Sequence, residues 1–185
     1  MNMGQTMITM GMFLLLVMSV ISANRMLIED AELTYQAEAY ELSATVAEDL
    51  IAEASSKMFD SSDNGSGTQY YWEFGSCGAS AAEASYVSPL PDTVPFKSID
   101  GFNDFDDYNG YSRIVDAGSI SGFVVKSYVY YIDPDFPDIP SDWSSYFKKM
   151  EVHVSHPKYI VNQQGNAFDD NGNPVDVVYT TIMSY

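Results

Sequence analysis

Residues 1–24 carry no charged side chain. Their densest stretch, residues 7–23, reads Met-Ile-Thr-Met-Gly-Met-Phe-Leu-Leu-Leu-Val-Met-Ser-Val-Ile-Ser-Ala. Wound as an α-helix, 24 residues reach roughly 36 Å, enough to cross a hydrocarbon core of roughly 30 Å. The segment has no polar positions at any helical period, unlike a helix that buries one face in a globular core. No Lys or Arg precedes it, so the basic start of a cleavable secretory signal is missing. A rod that is apolar all round must be covered by lipid or by other helices. Membrane insertion is therefore expected. Met7, Met10, Phe13, Leu14, Leu15, Val17, Met18 and Ile21 are the expected assembly surface. Arg25 is the nearest basic residue and gives only a slight orientation bias.

Beyond Arg25 the pattern turns amphipathic without a break. Leu33, Ala37, Tyr40, Ala44, Ala47, Ile51, Ala54 and Met58 fall at alternating spacings of 4 and 3. That repeat predicts one apolar face on a helix. No Gly or Pro lies between Asn24 and Phe59, so one helix is expected to run from near the N-terminus to about Phe59. A polar run, Asp60-Ser-Ser-Asp-Asn-Gly-Ser-Gly67, then ends it. Of the stripe, Leu33, Tyr40, Ala44, Ala47, Ile51, Ala54 and Met58 are the expected packing residues, because the apolar N-terminal segment has no such partner in its own chain. Three parts result: an apolar helix over 1–24, its amphipathic continuation over 25–59, and a β-rich head over 60–185.

Residues 75–118 are rich in Gly, Ser, Asp and Pro and read as a connecting region with short strands and a helical turn near Ala79–Ala84. Three strands are predicted after it, over residues 122–132, 147–155 and 175–185. In the second, Met150, Val152 and Val154 share one face. The segments Asp133–Pro140 and Asp169–Pro174 read as turns. The expected fold class is α+β, with an antiparallel sheet lying over the helix.

A helix that is wholly apolar, then amphipathic, then packed under an antiparallel sheet resembles the type IV pilin superfamily. The resemblance rests on residues 1–59 and on the order of elements behind them. It implies a non-enzymatic subunit of an extracellular filament, inserted in the inner membrane first and then polymerised with identical subunits through bundled N-terminal helices. A minor pseudopilin, a membrane-anchored part of a secretion machine, or a tethered adhesive head are the alternatives. The family places a Gly at its processing site and a Glu at the fifth mature position. Gly4 and Gln5 are the candidates here. Gln5 is the neutral isostere of the expected Glu, and counting from Gly4 instead puts Thr9 at that position. Gly11 is the expected soft point in the packed bundle.

Charge and chemistry narrow the field further. Eight basic residues face 26 acidic ones, for a net charge of −18. Such a surface has nothing to neutralise nucleic-acid phosphates, so a nucleic-acid partner is excluded. No Ser/His/Asp pattern, Cys/His pair or phosphate loop stands out, and no catalytic function or organic cofactor is expected. Asp60, Ser62 and Asn64 occupy loop positions one, three and five of a half calcium loop, with Gly65 at six. Tyr71 stands where the closing Glu belongs, so a helix-ending polar loop is the simpler account and calcium the sharper one. His153 and His156 are expected on opposite strand faces as solvent-facing side chains, a poor metal pair. Cys77, the only cysteine, reads as a small, partly buried residue, with an intersubunit bridge as the alternative.

Overall fold

The computed structural model describes residues 3–60, 70–74, 77 and 102–185. One helix, α1, spans Met3–Ser55. Five strands follow: β1 (Ser112–Ala117), β2 (Ile120–Asp133), β3 (Phe136–Pro140), β4 (Phe147–Ser155) and β5 (Asp176–Ser184). All the strand pairs are antiparallel, in the order β1-β2-β4-β5, and β3 pairs with the far end of β2. The fold is α+β. The chain divides into two compact units, Met1–Glu38 and Ala39–Tyr185, with the boundary inside α1.

The second unit is a sheet laid over the C-terminal part of α1. Alternation along β2 turns Phe123, Val125, Ser127, Val129 and Tyr131 inward. Met150, Val152 and Val154 of β4 face the same core, as the alternation predicted. From the helix come Ala39, Ser43, Val46, Ala47, Leu50 and Ala54. The small residues in this set let the helix backbone approach the sheet. Ser43 lies 2.8 Å from the Tyr179 hydroxyl of β5 and donates back to the Tyr40 carbonyl.

This face is not the expected stripe. Ala47 and Ala54 belong to both, and Ala44 and Ile51 are half-buried at its border. Leu33 is 62% exposed and lies in the first unit. Tyr40 is 40% exposed and touches the head through its hydroxyl, which donates to the Val161 carbonyl at 2.8 Å. Met58 is 49% exposed. The buried positions 39, 43, 46 and 50 precede the expected 40, 44, 47 and 51 by one residue, a rotation of about 100° around the axis.

The helix also ends four residues early. At Ser56 the ladder tightens: its amide donates to both Ala52 and Glu53, its hydroxyl donates to Glu53, and the Lys57 amide donates to Ala54. Met58 then leaves the helix to form a parallel bridge with Asp104, and the Phe105 amide donates to its carbonyl. That bridge turns Phe59 and Asp60 inward. At the other end α1 runs continuously through Gly11, so this chain has no melted point there.

One strand, β3, falls where the sequence reads as a turn. β1 lies in the connecting region, where short strands are expected without a position. A two-residue turn joins it to β2, with Gly118 at φ +55°. A Cβ at Gly118 would meet both methyl groups of Leu42 at 3.4 Å, so this turn rests on α1. β3 holds Pro137 and Pro140 and makes only two register pairs, as suits a proline-bearing edge strand. The helical turn expected near residues 79–84 lies outside the described residues.

Candidate functional site

Two features carry chemistry or assembly potential: the apolar half of α1, and a charged cluster sealed under the sheet.

The N-terminal helix is long and apolar enough to cross a membrane, a test that a signal sequence also meets. Its most apolar window has a mean hydropathy of 2.1, and none of that window is buried. The expected assembly residues Met7, Met10, Phe13, Leu14, Leu15, Met18 and Ile21 are all exposed, and Val17 is half-exposed. At about 100° per residue all but Leu15 fall on one side of the helix, and the exposed Ile8, Met12, Leu16 and Val20 cover the rest of the circumference. Gly4 and Gln5 lie in its first turns. The Thr9 hydroxyl lies 3.0 Å from the carbonyls of both Gln5 and Thr6. It therefore satisfies its donor within its own helix, which lets a hydroxyl sit in an apolar medium. At the polar boundary Arg25 pairs with Glu29 at 2.9 Å, one turn on, in the open. Such a pair adds little stability.

The cluster is built around Lys148. Period-two alternation puts residue 148 on the same face of β4 as Met150, so its side chain is driven into the core. It is 0% exposed. Its ammonium donates to Asp106 Oδ1 at 2.6 Å, to the Phe59 carbonyl at 2.7 Å and to Asp60 Oδ2 at 3.3 Å. The rings of Phe59 and Tyr131 flank the nitrogen at 4.5 and 5.1 Å. Tyr131 donates to Asp60 as well. Asp60 arrives from the segment that follows α1, and Asp106 from the short 3-10 turn Asp106–Tyr108. Burial pushes the Asp106 carboxyl up to about 7 despite Lys148, with Asp104 and Asp60 adding repulsion. The same surroundings push the Cys77 thiol up to about 12, chiefly through burial, so little thiolate forms.

A second ion pair closes the neighbouring edge. Glu53 of α1 accepts from the Tyr108 hydroxyl at 2.7 Å and from Arg113 of β1 at 3.1 Å.

Of the proposed calcium ligands, Asp60 alone is among the described residues. It follows the helix in a loop, as expected, but is turned into the core and held by Lys148. Ser62 and Asn64 lie outside the described residues. Among the described residues no group of three His, Cys, Asp or Glu side chains could hold a metal ion. The other acidic turns are filled by their own backbone. Asp107 accepts from the amides of Asn103 and Asp104, and Asp169 accepts from those of Asn171 and Asn173.

The histidines differ from each other. His153 packs at the sheet surface, 2.6 Å from Asp176. His156 is buried, against the expectation that it faces solvent. Its Nδ1 accepts from the amides of Lys158 and Tyr159, which leaves Nε2 to donate to the Ser121 carbonyl. It is a structural tie between β2 and the loop after β4.

No family model matches this chain, and no curated protein or solved structure shows significant similarity to it.

Proposed function

We propose that this chain is a structural subunit of an extracellular, type IV pilin-like filament. It is held in the membrane by residues 1–24 before assembly, and polymerises with identical copies through bundled N-terminal helices. One observation carries the reading: α1 has an apolar surface around its whole circumference and none of its apolar window is buried. Each Å² of that surface kept from water is worth about 25 cal/mol, whether lipid or neighbouring helices cover it. A bundle can replace lipid at little free-energy cost, so a subunit can pass from one to the other. The many methionines suit such a bundle, because flexible thioether side chains fill irregular gaps. The order of elements, an apolar then amphipathic helix with an antiparallel sheet over its second half, supports the pilin-like form of the proposal. The acidic composition suits a head that faces aqueous medium.

Electron microscopy of native material, paired with a chain lacking residues 1–24, tests the reading. The expected result is helical filaments with N-terminal helices in the core, and a soluble monomeric head on truncation. Filaments formed by the truncated chain would refute the helix-core mechanism. Monodisperse detergent particles from native membranes would favour a tethered membrane component.

A further inference from the structure

The geometry points to an intramolecular amide bond between Lys148 Nζ and the side-chain carboxyl of Asp106, formed within the folded head with Asp60 as the proton carrier. This inference is independent of the filament reading.

Three observations bring it together. Lys148 Nζ and Asp106 Oδ1 are 2.6 Å apart, so the amine already lies against the carboxyl it would attack. Asp60 Oδ2 stands 3.3 Å from the same nitrogen, within reach of the proton that must leave it. The site is dry: Lys148 is fully buried, both aspartates nearly so, and Phe59 and Tyr131 wall the nitrogen.

Such a site favours condensation. An ammonium and a carboxylate held in a low-dielectric core carry a heavy desolvation penalty, and a neutral amide removes both charges. The raised Asp106 pKa keeps a share of that carboxyl in the neutral acid form, which is the better electrophile.

The step balances as follows. Asp60 takes one proton from the Lys148 ammonium. The freed amine attacks the protonated Asp106 carboxyl, forming the N–C bond. Asp60 hands its proton to the departing hydroxyl, the C–O bond breaks, and water leaves. The nitrogen gives up a second proton to Asp60 and keeps one. Nothing is oxidised or reduced, and no co-reactant is needed. The product ties β4 to the 3-10 turn before β1, 42 residues apart in sequence.

The test is mass spectrometry of the full chain extracted in detergent, digested with trypsin. Trypsin does not cut after an acylated lysine. The expected product is residues 98–113 joined to residues 127–149, lighter than the two separate peptides by one water. Cleavage after Lys148 with residues 98–113 recovered free would overturn the proposal. So would a link from Lys148 to residues 58–97, which contain Asp60. An Asp60→Asn chain is expected to give the unlinked peptides while circular dichroism shows the wild-type sheet. Linkage in that variant as complete as in wild type would overturn the role given to Asp60. The wild-type digest decides the bond even where the variant fails to fold.

Discussion

Replacing Leu50 with Ala tests the packing of the head most directly. Leu50 is 0% exposed and belongs to the core formed by α1 and the sheet. Truncating a fully buried leucine removes its transfer free energy and leaves a cavity, at a cost of about 2–5 kcal/mol. A head of this size has a urea m-value of roughly 2 kcal/mol/M, so the midpoint should fall by about 1–2.5 M. The assay is urea unfolding of the chain lacking residues 1–24, followed by circular dichroism and by tryptophan fluorescence. Leu33→Ala is the control. Leu33 was part of the stripe read from the sequence, yet it is 62% exposed, so its loss should change stability by no more than about 0.5 kcal/mol. A midpoint shift below about 0.5 M for Leu50→Ala would refute the helix face described here. So would an equal cost at Leu33 in the same monomeric chain.

Three further outcomes follow from particular contacts. Lys148→Met should destabilise the head by at least about 3–5 kcal/mol, measured by the same unfolding assay, because Asp60 and Asp106 would be left buried with neither the ammonium nor the amide that replaces it. Gly118→Ala should cost about 1–2 kcal/mol, since the residue sits at φ +55° and the new methyl would press on Leu42. The turn at Asp169 should loosen in acid. Hydrogen bonds from Asn173 and Asn171 hold its carboxyl below the ordinary range, so their stabilisation is present above that range and is lost as pH falls through the depressed value. Amide chemical shifts of Asn171 and Asn173, followed from neutral pH downward, should report that change, while an Asp169→Ala chain should show it already at neutral pH.

The uniformly apolar rod and the three long strands were legible in the sequence because each is a local pattern. A run without charges needs no tertiary context to be excluded from water. β2, β4 and β5 announce themselves by β-branched and aromatic residues bounded by turns. β1 and β3 did not. β1 holds Arg113 and Asp116 in a Gly- and Ser-rich stretch, and β3 holds two prolines, so partner strands and not intrinsic preference make them strands.

Which face of α1 meets the sheet was decided only by the tertiary structure. Two sets of small and apolar residues run along the helix one position apart, and both satisfy a spacing of three and four. The contacts of Ser43 with Tyr179 and of Leu42 with the Gly118 turn choose between them. The Lys148 cluster was equally hidden. Its carboxylates lie 88 and 42 residues away in sequence, and the lone lysine on an apolar strand face gives no sign of them. Local composition determines where water must be excluded. The placement of distant charges around one buried ammonium depends on how the helix end, the 3-10 turn and β4 converge, which is a property of the folded chain alone.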